Sequence, residues 1–263
     1  MVSAITGTAA FASGSGVSSS LWMTLAGWCL AIGGFSLDLN ADRDLDSEGP
    51  RATIRHNPFI DGSLSPSSGL AFSAIFMIAS FTITIMIAPW ALLPWGIILA
   101  VIIGLALHLF ESPVTRALTL GLLQGLCFLM GSLSGRLSSG LVLLAVMFFF
   151  AMFGGRGMTD IRDFPQDKTT RVLTLPKRYG LRRTAWFASS SIVISLIFSL
   201  AAYFTGEFST IYLYLDTAFI SIVLTCAILF AIKPSPRLAY IFALVFMMGT
   251  GSIICLAIIL GSI

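Results

Sequence analysis

The stretch "SLDLNADRDLDSEG" at residues 36–49 places three aspartates, each four residues after the last, directly behind a long apolar run. A second stretch, "GMTDIRDFPQDKTTRVLTLPKRYG" at residues 157–180, again places three aspartates behind an apolar run. Steps of three and four keep side chains on one face of a helix. A carboxylate costs roughly 2.5–3.5 kcal/mol at the centre of a membrane helix, so two such sets indicate a functional site. The two sets are Asp38, Asp42 and Asp46, and Asp160, Asp163 and Asp167.

The remainder of the chain has the composition of a membrane protein. Of 263 residues, 57% are hydrophobic and only 10% are charged, and the mean hydropathy is +0.95. Continuous apolar runs of about 18 or more residues predict transmembrane helices, because backbone groups in lipid must be satisfied within the segment. We therefore expect an all-α, polytopic bundle of eight to nine helices that forms a single domain over residues 1–263. The predicted spans are 19–37, 69–88, 91–110, 115–133, 138–156, 184–204, 209–232 and 238–262, with a short apolar segment at 1–13.

The basic residues are distributed unevenly between the two membrane faces of this map. The predicted long loops 38–68 and 157–183 fall on one side, and of the 15 Lys and Arg residues only Arg136 falls on the other. Excess positive charge marks the cytoplasmic side of a membrane protein. We therefore expect an integral protein of the cell membrane whose two aspartate sets face the cytoplasm.

Six carboxylates close together would repel one another unless a cation lay between them. Mg²⁺ suits such a site, because it prefers oxygen ligands and shares its coordination shell with phosphate. Zinc is not indicated, because no thiol is near and the two histidines, His56 and His108, are isolated in the sequence. The simpler alternative is that the acids form loop salt bridges with Arg43, Arg51, Arg162 or Lys168.

The two motifs resemble those of the UbiA superfamily of intramembrane prenyltransferases. That family carries N-x-x-x-D-x-x-x-D after its second helix, and D-x-x-D-x-x-x-D with a following T-L-P-type segment and glycine after its sixth. Here the second motif continues into Lys168, then Thr174-Leu175-Pro176 and Gly180. Two positions depart from the pattern: Asp38 stands where the family usually has Asn, and Gln166 where it usually has Gly.

The resemblance implies nine transmembrane helices and a Mg²⁺ cofactor that bridges both motifs and the diphosphate of an allylic prenyl diphosphate. It also implies transfer of the prenyl group to a lipophilic acceptor in the bilayer, and no nucleic-acid partner. The metal ligands would be all six aspartates of the two sets. The catalytic residues would be Asp42, Asp163 and Lys168. The diphosphate-binding residues would be Asp38, Arg51, Arg55, Arg162 and Lys168.

The acceptor is open between several classes. The T-L-P segment resembles the glycerolipid, homogentisate and chlorophyllide branches of the family more than the haem branch. Among these we expect geranylgeranylglyceryl phosphate, as in ether-lipid synthesis. An aromatic or quinone-precursor acceptor such as 4-hydroxybenzoate, homogentisate or a naphthoate is the alternative. A transporter and a non-catalytic protein that binds prenyl diphosphate are the rivals from other classes. The acids cluster at one membrane face and not at the midplane, which disfavours transport.

Overall fold

The computed structural model describes residues 1–43, 57–110, 112–169 and 171–262, and every regular element in these ranges is helical. Eight helical stretches within them are long and apolar enough to cross a membrane, which confirms the predicted all-α bundle. The elements are α1 Val2–Ala12, α2 Gly16–Ala41, α3 Pro66–Ile87, α4 Leu92–Ala106 after a 3₁₀ turn at Pro89–Ala91, α5 Pro113–Ser132, α6 Ser139–Asp167, α7 Leu175–Tyr179, α8 Leu181–Tyr203, α9 Thr210–Ile232, α10 Pro236–Gly249, a π turn at Thr250–Ile254, and α11 Cys255–Gly261.

The sixth helix, α6, extends well beyond its predicted end. The sequence predicted a span over 138–156 and a loop over 157–183, but α6 continues to Asp167. Polar residues after 156 ended the apolar run without ending the helix, and an i,i+4 ion pair between Arg156 and Asp160 supports the extra turns. Pro165 lies near the end of the helix, where it removes one backbone donor. The second aspartate set therefore lies on a helix and not in the predicted loop.

The first helix, α1, is a short element packed inside the bundle. Its 11 residues reach about 16 Å, roughly half of a hydrocarbon core of about 30 Å. Its middle residues are buried, and both Gly27 of α2 and Gly131 of α5 lie directly against Thr6. The predicted short N-terminal segment is thus a helix that fits between two spans.

Glycines set the close approach of α6 to its neighbours on both sides. A Cβ on Gly121 or Gly125 of α5 would lie 2.8 Å or 2.9 Å from a backbone carbonyl oxygen of α6. A Cβ on Gly154 of α6 would lie 2.8 Å from the carbonyl oxygen of Ala188 on α8. Helices in lipid associate through such close van der Waals contact, because the hydrophobic effect does not drive them together in an apolar solvent. The helix that carries the second motif is therefore held tightly between α5 and α8.

The N-terminal end of α6 is tied to the loop between α8 and α9. The carboxylate of Glu207 accepts hydrogen bonds from the hydroxyls of Ser138 and Ser139, and from the backbone N–H of Gly140 at 3.0 Å. An acidic group at this position also interacts favourably with the helix dipole. The side chain of Glu207 thus caps α6 and joins it to the loop between α8 and α9.

We predict that Gly125→Leu lowers the thermal unfolding midpoint of the protein in detergent, because the new side chain must push α5 away from α6. Overpacking of this kind costs about 1–3 kcal/mol. Gly96→Ala is the matched control: Gly96 is an exposed helical glycine with nothing near its Cβ position, so this change should keep or slightly raise the midpoint. Equal midpoints for the two variants would contradict the packing role of Gly125.

Candidate functional site

Asp160 joins the last turns of α6 to the segment that follows. Its carboxylate is only 4% exposed, and its Oδ1 lies 2.8 Å from Nε of Arg156. Its Oδ2 accepts a hydrogen bond of 3.0 Å from the backbone N–H of Leu175. A buried carboxylate is tolerated only where such partners compensate its lost hydration. Asp160 therefore holds the Thr174-Leu175-Pro176 segment against α6.

The T-L-P segment forms the start of the short helix α7. Thr174 is the N-cap residue, but its hydroxyl does not cap the helix, and the carboxylate of Asp160 receives the first free amide instead. Gly180 ends α7 with φ of +82°, a conformation that favours glycine, and lets the chain turn directly into α8. The spacing between aspartate, T-L-P and glycine in this motif thus has a structural reason.

The other two acids of the second motif differ in their surroundings. Asp163 is 22% exposed and accepts two hydrogen bonds from Arg162, from Nε at 2.7 Å and from the terminal guanidinium nitrogen at 2.8 Å. Asp167 is buried at the end of α6, and both acids repel the charge of Asp160. Lys168 follows at the surface, with its Nζ 5.0 Å from the centre of the Phe164 ring. Acids and bases alternate over these last two turns.

The first motif lies at the end of α2. Asp38 is on the last turn of the helix, and the backbone N–H of Asp42 donates to the carbonyl of Asp38 at 2.8 Å. The carboxylate of Asp42 lies 3.8 Å from Nδ1 of His108, a residue with positive φ just beyond α4. From the sequence we expected His108 to be isolated. That expectation is wrong in three dimensions, because the fold brings His108 beside Asp42, which is far away in the chain. Asp46, Arg51 and Arg55 lie outside the described residues.

Both motifs lie at the same end of the bundle, because successive spans run antiparallel and α2 and α6 each carry a motif at their C-terminal end. Within the ranges that the structure describes, no three His, Cys, Asp or Glu side chains lie close enough to form a metal site. The donor set nevertheless fits Mg²⁺, since it consists of carboxylate oxygens. A carboxylate has about four lone-pair sites, so Asp160 and Asp163 keep capacity beyond the contacts above.

A cavity of about 200 Å³ opens beside the second motif, between α5, α6 and α10. Most of its lining is apolar, with residues such as Leu120, Phe148 and Phe246. Its polar lining residues are Gln124, Arg156, Thr159 and Thr250. Sequence reasoning did not assign Gln124 or Arg156 to a site. The signal it could have used was a single amide in the apolar span of α5, since polar groups at that depth are rarely without a role.

A family model described as "UbiA prenyltransferase family" matches residues 1–258. The digeranylgeranylglyceryl phosphate synthase of Methanothrix thermoacetophila is 27% identical over 167 residues, which are 64% of this chain and 61% of the relative. The protoheme IX farnesyltransferase of Desulforudis audaxviator is also 27% identical, over 65% of this chain and 55% of the relative. The matches therefore span about three fifths of these relatives' lengths.

Solved structures confirm the fold. A digeranylgeranylglyceryl phosphate synthase structure has a TM-score of 0.80 at 22% identity and covers 99% of this chain and 92% of its own. A UbiA homologue from Archaeoglobus fulgidus, bound to DMAPP and Mg²⁺, has a TM-score of 0.68 at 16% identity and covers 98% of this chain and 96% of its own.

We predict that Asp160→Ala destabilises the protein more than Asp163→Ala. The first change leaves the buried amide of Leu175 without its acceptor and the guanidinium of Arg156 without its counter-charge, at a cost of about 1–3 kcal/mol. The second removes a pair at the surface, which contributes about 1 kcal/mol or less. Thermal unfolding of both variants in the same detergent checks the order. A larger loss for Asp163→Ala would show that Asp160 does not hold the T-L-P segment.

Proposed function

The chain belongs to the UbiA prenyltransferase family, and on that basis we propose that it transfers a prenyl group from an allylic prenyl diphosphate to a lipophilic acceptor within the membrane. The observation that carries this proposal is the position of the two aspartate motifs, at one end of a membrane-spanning bundle and beside a largely apolar cavity. A diphosphate needs the polar end, and an isoprenoid tail needs the apolar interior. The arrangement meets both needs at once.

The six aspartates would hold the metal: Asp38, Asp42 and Asp46 from the first motif, and Asp160, Asp163 and Asp167 from the second. Mg²⁺, when bound, neutralises charge that develops on the departing diphosphate. The Archaeoglobus homologue that binds DMAPP and Mg²⁺ supports this assignment. Asp42 and Asp163 are the acids that we propose as catalytic.

Cationic side chains would bind the diphosphate directly. Arg162 presents a guanidinium whose planar donors suit phosphate oxygens, and it already neutralises Asp163 through two hydrogen bonds. Lys168 stands exposed at the end of α6, next to Asp167, and we propose it as a third catalytic residue. Asp38, Arg51 and Arg55 complete the proposed diphosphate-binding set.

The chemistry requires that water is kept from the reacting carbon. The bond between C1 of the prenyl group and the diphosphate oxygen breaks, and C1 takes on carbocation character. An acceptor oxygen or ring carbon then forms the new bond to C1 and gives up its proton. The apolar lining of the cavity excludes water that would otherwise trap the cation.

For the acceptor we propose geranylgeranylglyceryl phosphate, which makes the protein an enzyme of ether-lipid synthesis. The T-L-P segment and the relatives named digeranylgeranylglyceryl phosphate synthase support this choice. An aromatic acceptor such as homogentisate is the second candidate, because the T-L-P segment resembles that branch of the family as well.

We also propose that the active site faces the cytoplasm from the cell membrane. Among the basic residues that the structure describes, only Arg136 lies at the end of the bundle opposite the aspartate motifs, and this asymmetry is typical of cytoplasmic faces.

We predict that Asp42→Ala and Asp163→Ala each lower turnover by roughly 10²–10³-fold, which is typical when one group that stabilises the leaving charge is removed. The measurement is Mg²⁺-dependent release of diphosphate from geranylgeranyl diphosphate by purified protein, with and without EDTA. Arg136→Gln, at the opposite membrane face, is the control and should keep wild-type turnover. Each variant must elute from size exclusion as the wild type does, and retained turnover in both aspartate variants would refute the metal-bridge assignment.

We predict opposite labelling of cysteines introduced at the two faces. Arg136→Cys should react with a membrane-impermeant maleimide in intact cells, whereas Lys233→Cys should react only after permeabilisation. Both positions are exposed, and the four native cysteines all lie within membrane-spanning helices. The reverse pattern would place the aspartate motifs outside the cell.

A further inference from the structure

Two buried hydrogen-bond donors on the wall of the cavity lack partners. Gln124 on α5 is 3% exposed, and among the described residues its Nε2 has no hydrogen-bond partner. The Nε of Arg156 on α6 is also buried without a hydrogen bond among the described residues, although the guanidinium is paired in charge with Asp160, whose Oδ1 lies 2.8 Å away. Leaving a buried donor unsatisfied costs about 1–3 kcal/mol. Two such donors on one cavity therefore indicate an occupant.

The other polar lining residues do not share this feature. The hydroxyl of Thr159 donates to the carbonyl of Arg156 at 2.9 Å, and the hydroxyl of Thr250 donates to the carbonyl of Phe246 at 2.6 Å. Both hydroxyls are satisfied by their own helices. Among the described residues, the buried side-chain atoms of the cavity lining that lack a hydrogen-bond partner are both nitrogen donors, and an occupant with acceptor oxygens would satisfy them.

Helix geometry directs the two unsatisfied residues toward each other. Gly125 of α5 packs on the carbonyl of Ala145 of α6, so Gln124 lies level with residue 146 of the antiparallel α6. Arg156 is about ten residues further along α6, which is roughly 15 Å. Each Cα–Cβ bond tilts toward the N-terminus of its helix. Because α5 and α6 run antiparallel, Gln124 leans toward the level of Arg156, and Arg156 leans toward the level of Gln124.

The size and charge of the space restrict the occupant further. At about 200 Å³ the cavity is smaller than the roughly 300–1,000 Å³ of pockets that enclose drug-sized ligands. It therefore fits a compact head group beside the reacting carbon, and the prenyl tails extend beyond it between the apolar helices. Asp160 neutralises only part of the guanidinium surface, and its Oδ2 is engaged by Leu175. The remaining donors of Arg156 suit an anionic oxygen group.

From these contacts we propose that Arg156 and Gln124 form the binding site for the anionic group of the prenyl acceptor, a phosphate monoester or a carboxylate. This inference rests on the proposed function and deepens it, because it makes an anionic acceptor a requirement. Arg156 holds the anion one helical turn from Asp160, and the amide of Gln124 donates to the same group or to an oxygen next to it. A neutral acceptor leaves both donors unpaired, which disfavours its binding.

The test compares kinetic constants for donor and acceptor in variants that keep a cation at position 156, opposite Asp160. Gln124→Leu removes the amide, and Arg156→Lys keeps the charge but loses the planar donors. Each should raise the acceptor KM by roughly tenfold, the equivalent of one hydrogen bond to a charged group. The KM for geranylgeranyl diphosphate should change less than twofold. Thr250→Val is the matched control, because it alters the same cavity but removes a hydroxyl already satisfied by its own helix.

Acceptor pairs identify the source of the anion. Geranylgeranylglyceryl phosphate is compared with its dephosphorylated glycerol ether, and 4-hydroxybenzoate with its methyl ester. The protein should prefer the charged acceptor of whichever pair it prenylates, and this preference supports the proposed site. Equal turnover of the neutral acceptor overturns the site. An unchanged acceptor KM in both variants also overturns the proposed binding site. The proposed function stands in that case, because the variants still turn over.

A binding measurement separates this inference from the proposed reaction. Without Mg²⁺ and donor, the anionic acceptor alone should raise the thermal unfolding midpoint of the wild type and of Thr250→Val, but not of Gln124→Leu. Stabilisation of Gln124→Leu equal to that of the wild type would overturn the site. If geranylgeranyl diphosphate released no diphosphate with any acceptor, the proposed function would be defeated. The shift of the unfolding midpoint would still measure whether the acceptor binds at Arg156 and Gln124.

Discussion

The buried carboxylate of Asp160 connects the parts on which the site depends. One of its oxygens faces Arg156 on the cavity wall, and the other receives the amide that begins α7. A charge in such a place is stable only with both partners, because the surrounding helices supply little solvation. The position of the T-L-P segment, the last turns of α6 and the guanidinium in the cavity are therefore set together by one side chain.

The packing of α6 makes this arrangement possible. Glycines on α5 bring the two backbones together on one side, and Gly154 does the same against α8 on the other. Close contact of this kind resists rotation of α6 about its axis, since any turn would bring a larger side chain against a neighbouring carbonyl. The face that carries Arg156 and Asp160 is consequently held toward the cavity.

Hydropathy alone predicted the eight spans, because lipid demands that every crossing segment be apolar and helical. The same criterion failed at the end of α6, where charged residues such as Arg162 and Asp163 continue the helix outside the apolar run. The spacing of the aspartates indicated the site, since periodicity is local information. The contact between His108 and Asp42 arises from tertiary packing, so no local pattern could reveal it. The single amide in the apolar span of α5 marks Gln124 in the sequence, but its lack of a partner among the described residues depends on the packing around it.

The cap that Glu207 places on α6 has a mechanical consequence. Three donors fix the N-terminal end of a helix of 29 residues, which is about 44 Å long. Because α6 is held at its N-terminal end, a tilt of only about 3° would displace the aspartate end by about 2 Å. Any tilt of α6 about this cap therefore moves the aspartate end of the helix further than the capped end.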